Sequence, residues 1–197
     1  MTFTTELQTL LDSVIANFVF VLGLIAILWI VHFFNFLSCH RLSRLGIYPR
    51  RTYGLPGIVF FTFLHGDFNH LFVNSFVLFF LANLVLINAD HTAFYVISGS
   101  IILLSGFMIW LIGKHGVHIG ASSLIMGYFG YIVTNLWHSG SLVTIVIALG
   151  ALYFFGYLIF ALLPSGEKHI SWEGHVCGFL AGIATNYFYP TLIKLVL

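Results

Sequence analysis

A serine set among small residues, two histidines and an asparagine are the residues on which chemistry could rest. Ser122 lies in Gly120-Ala121-Ser122-Ser123, a G-x-S-x stretch that opens an apolar segment, and its small neighbours leave room for a substrate backbone. A hydroxyl becomes an effective nucleophile once a base removes its proton, and histidine is the usual base near neutral pH. His175, which opens the last apolar segment, is the candidate base. A tetrahedral intermediate needs donors for its oxyanion. His70 and Asn74, at the start of the second segment, can supply them, as can the backbone N–H of Ser122 at a helix start. Each residue also has a bland use, since Gly and Ser pack membrane helices and His and Asn tie them together. No acid is clearly placed to orient His175. Glu173 lies two residues before it but complements a helix N-terminus, and Asp90 falls on the other side of the chain's path. The expected machinery is a Ser–His dyad.

Composition says where such a dyad would work. The chain has 197 residues, 60% of them hydrophobic and 7% charged, with a mean hydropathy of +1.04. Soluble domains carry about a quarter charged residues, so this chain cannot clothe itself in a solvated surface and is a membrane protein. A formal net charge of +1 and the lack of a basic run give no nucleic-acid footprint. Cys39 and Cys177 have no metal-ligand or CxxC spacing and read as small apolar residues. The N-terminus carries Glu6 and Asp12 without Lys or Arg, and its apolar run is too long for a secretory signal.

The predicted fold is an all-α polytopic bundle of six spans in a single membrane domain, 1–197. Residues 1–13 read as a short amphipathic lead-in with Phe3, Leu7, Leu10 and Leu11 on one side. The first span, 14–37, is roughly 36 Å long against a hydrocarbon core of about 30 Å. Its Asn17, His32 and Asn35 are expected to face the bundle, because lipid offers them no partner. A polar connection with Arg41, Arg44, Arg50 and Arg51 follows, then an apolar stretch, 56–64, too short to span. That stretch reads as a half-inserted loop packed on protein, since irregular backbone is tolerated at depth only there. The other spans are placed near 69–86, 92–112, 122–137, 142–163 and 175–196.

Parity then gathers the chemistry. Spans 2, 4 and 6 all begin on the side of the first long loop, so His70/Asn74, Ser122 and His175 share one face. His70 and Asn74 are four apart, on one side of their helix. Span 4, at about 16 residues, covers roughly 24 Å. If Trp137 and His138 mark its far interface, Ser122 begins below the near one and requires a water-filled cavity. Gly127 and Gly130 on span 4, with the G-x-x-x-G of Gly178 and Gly182 on span 6, permit the close approach that would bring Ser122 to His175.

Along essentially its whole length the sequence resembles the bacterial rhomboid intramembrane serine proteases. The motifs are His65 to Asn74 (HGDFNHLFVN), Gly120 to Ser123 (GASS) and Trp172 to Gly182 (WEGHVCGFLAG), in the family's order. The resemblance implies Ser122 as nucleophile, His175 as base, and His70 and Asn74 in the oxyanion hole. It also implies a six-helix core, no metal or other cofactor, and transmembrane segments of other proteins as substrates. Gly120 and Met126 are expected to border the bound substrate. Three departures stand out. Ser123 replaces a common glycine and adds bulk near the expected oxyanion site, Met126 replaces an aromatic that packs on the histidine, and Gly54-Leu55-Pro56-Gly57 stands where many members carry Trp-Arg.

Charge conflicts with the family's topology. Arg41, Arg44, Arg50, Arg51, Lys114 and Lys168 lie on the catalytic side and Lys194 alone on the other. Positive-inside puts the catalytic mouth in the cytoplasm, whereas the resemblance puts it outside; the family's orientation, in a bacterial inner membrane, is the expectation kept. Two rival functions follow from the same residues. One is a metal- or proton-coupled transporter built on His65, Asp67, His70, His115, His118, His169 and His175. The other is an inactive rhomboid-like protein that grips membrane segments without cutting them.

Overall fold

The computed structural model describes residues 3–87, 89–139, 142–163 and 171–196. Six long helices form the bundle. They are α1 (Phe3–Leu37), α3 (Phe68–Leu86), α4 (His91–Ile112), α5 (Ser122–Ser139), α6 (Leu142–Phe155) and α7 (Trp172–Val196), with a single turn, α2 (Gly57–Phe60), in the first loop. By length and composition, four stretches among the described residues are able to cross a membrane: Leu11–Leu37, Phe68–Leu86, His91–Ile112 and Trp172–Lys194. The protein is an all-α polytopic membrane bundle.

Helix starts are written in short polar side chains. The Asp67 carboxylate accepts the His70 N–H at 2.8 Å and opens α3, and Asp90 accepts the Ala93 N–H at 2.7 Å and opens α4. The Ser171 hydroxyl accepts the Gly174 N–H at 3.3 Å and opens α7. That cap starts α7 at Trp172, a turn earlier than the predicted 175. Two other boundaries differ. α1 runs unbroken from Phe3, so the lead-in is one helix with the first span. The fifth span leaves α geometry at Phe155 (φ −119°, ψ 3°) and continues as a 3-10 helix over Gly156–Leu162, where glycine weakens the helix. Pro164, Lys168 and His169 lie outside the described residues, as do the side chains of Trp137 and His138.

α5 is the axis of the bundle and packs on α3, α4, α6 and α7. From 121 to 132 every residue is buried except Ser122, which is half-buried. Three hydrogen bonds tie helices together through side chains: Tyr128 with Ser98 at 2.7 Å, Trp29 to Ser75 at 3.1 Å and Asn186 to Thr134 at 3.2 Å. The polar residues of α1 face the bundle as expected: His32 buries its Nδ1 and lies near His65 and His70. Asn17 meets His91 of α4 at 3.1 Å, and buried Asn35 donates to the Ser43 hydroxyl at 2.9 Å, anchoring the first loop.

The first loop is irregular and held by protein. Thr52–Gly54 and Phe61–Phe63 are 3-10 turns around α2, and Phe61, Thr62, Leu64 and His65 are buried. Arg50 (φ 59°) caps α4, its guanidinium donating to the Leu111 and Gly113 carbonyls at 3.1 and 2.9 Å. In return the Trp110 indole donates to the Arg51 carbonyl at 2.9 Å. The loop predicted to be half-inserted is thus packed on protein and clamped to the end of α4. Cys39 and Cys177 are both unbridged.

Candidate active site

The approach to Ser122 is a glycine turn gripped by the first loop. Gly120 has φ +124°, a conformation open to glycine and costly for other residues. Its N–H donates to the Phe61 carbonyl at 2.9 Å, and the next N–H, of Ala121, donates to His65 Nε2 at 3.3 Å. α5 begins one residue later. Gly120 is also required by space: a Cβ there would stand 2.8 Å from both Cε1 and Nε2 of His70 and 3.7 Å from Asn74 Nδ2. The turn before Ser122 therefore lies directly against the two side chains predicted as oxyanion donors.

His65 supports this turn as a neutral ring. Burial pushes it down to about 3, with the neighbouring His70 and His32 rings acting in the same direction. With Nε2 accepting from Ala121, its proton sits on Nδ1. Its ring meets that of His70 edge-to-face, centroids 5.1 Å apart.

His175 is set by the seam between α5 and α7. A Cβ on Gly178 would strike the Ser123 carbonyl, one on Gly182 the Gly127 carbonyl, and one on Gly130 would come 2.5 Å from the Phe179 carbonyl. The two backbones touch, which small residues alone permit. Gly178 meets Ser123, the residue beside Ser122, and His175 lies three residues before Gly178, on the same side of α7.

A cavity of about 550 Å³ opens at the N-termini of α3, α5 and α7, and Ser122, His175, His70 and Asn74 all line it. Asn74 is 7% exposed, and its Nδ2 is buried with no hydrogen-bond acceptor among the described residues. His175 lies within electrostatic range of His70. The structure thus brings together the four residues predicted for chemistry. Gly120 sits behind them, on the edge of a smaller adjoining space. Met126 is elsewhere: it is 1% exposed, inside the hydrophobic core around α5, and not on the wall of the large cavity. Ser123 also turns away from that wall, 2% exposed.

His118 and Ser171, hydrogen-bonded at 2.8 Å, line the same cavity. Sequence reasoning placed His118 only in a histidine cluster and gave Ser171 no part. The cap signal of a serine before Trp172-Glu173-Gly174 was the available clue to Ser171. Among the described residues, no three His, Cys, Asp or Glu side chains converge as a metal site; His169 of the proposed transporter cluster lies outside them.

Residues 53–191, from the first loop into α7, match the Rhomboid domain. The chain belongs to the rhomboid family. Uncharacterized proteins of Mycobacterium bovis and Mycobacterium tuberculosis are each 34% identical to it over 181 residues, covering 85% of this chain and 72% of theirs. One from Mycobacterium leprae is 30% identical over 85% of this chain and 69% of its own. This rhomboid is accordingly a multi-pass membrane protein in contact with the lipid bilayer, of a family of intramembrane proteases.

Proposed function

We propose that this rhomboid is an intramembrane serine endopeptidase that cuts other proteins in or near their transmembrane segments. The observation that carries the reading is the shared cavity: Ser122 and His175 line it with Asn74 and His70, beside a glycine turn that no larger residue could make. In the proposed reaction Ser122 Oγ attacks the scissile carbonyl while His175 takes its proton. The C–O bond forms and the carbonyl π electrons move to oxygen. The Ser122 N–H, Asn74 Nδ2 and a His70 ring N–H stabilise that oxyanion. Collapse breaks the C–N bond, and His175 returns the proton to the leaving amine. Water from the cavity then attacks the acyl ester by the same route, freeing the acid and restoring Ser122. No step calls for a metal or other cofactor.

The substrate must leave its own helix to react, because helical carbonyls are engaged in i→i−4 bonds. Transmembrane segments with Gly, Pro or small polar residues near one end suit this site. The mycobacterial relatives favour a bacterial inner membrane, with the cavity on the outer face as the family resemblance implies. The test is cleavage of a transmembrane reporter by the purified protein in proteoliposomes. Wild type should cut, and folded Ser122→Ala and His175→Ala should not. Comparable cutting by either variant would remove the mechanism.

A further inference from the structure

Two side chains outside the proposed dyad join the segments that carry it. His118 lies four residues before Ser122, and Ser171 four residues before His175. His118 Nε2 is 2.9 Å from the Lys114 carbonyl, which can only accept, so Nε2 carries the proton and Nδ1 is an acceptor. The Ser171 hydroxyl, 2.8 Å from Nδ1, therefore donates to it. The same oxygen accepts the Gly174 N–H, and the Ser171 carbonyl accepts the N–H groups of Gly174 and His175 at 3.0 and 3.3 Å. The chain of bonds thus ends on the backbone of His175 itself. At its other end, His118 is fixed by a reciprocal backbone pair with Ile47, at 3.0 and 2.9 Å. Building on the protease reading, we propose that His118 is a positioning residue: through Ser171 it holds the start of α7, and so His175, in register with Ser122.

Two neighbours show why the imidazole matters. The Lys114–Glu173 ion pair, 3.0 Å, crosses the same gap, but Lys114 is 65% exposed and such pairs are weakened by solvent and salt. The glycine seam fixes α7 only from Gly178 onward. His118 and Ser171 also form a hydrogen-bonded Ser–His pair in the cavity, which invites a second nucleophile. Against that role, Ser171 Oγ is already occupied by the cap bond, and the Gly120 turn with its donors lies beside Ser122.

The test compares wild type, His118→Ala, His118→Asn and Ser171→Ala in proteoliposomes, reading kcat and KM on a transmembrane reporter and the ring nitrogen resonances of His175. A misplaced base costs up to about 10²-fold in rate, so His118→Ala should lose kcat on that scale with KM little changed. His118→Asn, whose amide oxygen can still accept from Ser171, should recover most of the loss. Ser171→Ala, which also removes the α7 cap, should lose at least as much as His118→Ala, and the double variant should be no worse than Ser171→Ala. The His175 resonances should move in His118→Ala and return towards wild type in His118→Asn. Unchanged kcat, a loss confined to KM or melting, no recovery in His118→Asn, or covalent capture of a fluorophosphonate at Ser171 would each overturn the proposal. A wild type that cuts nothing would defeat the protease reading instead, and the His175 resonances would still report whether His118 holds α7.

Discussion

Glycine does opposite work on two sides of α5. On the α7 side, a Cβ on Gly130, Gly178 or Gly182 would run into the facing backbone, while one on Gly127 would strike Ile101 of α4. On the α6 side, Gly150 and its successor Gly156 have nothing within 4 Å of a Cβ, and the helix shows Leu149, Tyr153 and Phe154 outward. One helix pair is a backbone-to-backbone seam, and in the other α6 is a looser cover with an exposed apolar face. The seam is also where Ser122 and His175 are carried. Close packing there fixes distances between chemical groups, whereas filling a gap of one methyl at α6 is expected to leave the cavity unchanged.

The largest effect is expected at the cavity end of the seam. Asn74→Ala removes a proposed donor, and loss of one such group typically costs about 10²–10³ in kcat, roughly 2.7–4 kcal/mol. KM should move little, because the donor acts on the transition state. Steady-state kinetics beside a thermal melt decide it: a lowered melt with intact kcat would mean that Asn74 only ties helices. Next comes the seam itself. Gly178→Ala drives a Cβ into the Ser123 carbonyl, and overpacking of this kind costs typically about 1–3 kcal/mol. Melting in detergent should fall and cleavage should fall with it; a wild-type melt would show that the seam yields easily. The smallest effect sharpens the contrast. Gly150→Ala meets no atom, so the helix should gain about 0.5–1 kcal/mol, with cleavage unchanged. A loss of activity there would erase the distinction between the two sides.

Much of the architecture was legible because the signals were local. Asp67 and Asp90 sit one residue before α3 and α4 and cap them, and the Gly120 turn stands just ahead of α5. Those three starts fall within a residue of prediction. The gathering of His70, Asn74, Ser122 and His175 was legible from parity, since alternate helices must begin on one face. What escaped depends on contacts across the chain. Ser171 looks like loop until its hydroxyl is seen to accept from Gly174, and His118 gains a partner 53 residues away. Met126 follows Ser122 by one turn, yet burial around α5 is so complete that position in the sequence could not say whether it reached the cavity. The break at Phe155 was hidden by an unbroken apolar run, in which hydropathy is silent about backbone geometry.

The account's central claim is that Ser122 is a nucleophile made reactive by His175. A fluorophosphonate that reacts with activated serines, followed by mass-spectrometric mapping of the modified peptide, tests it without a substrate. The account predicts one modification, on Ser122, abolished in Ser122→Ala and nearly abolished in folded His175→Ala. No modification of the wild type, or equal modification of Ser122 when His175 is absent, would contradict it.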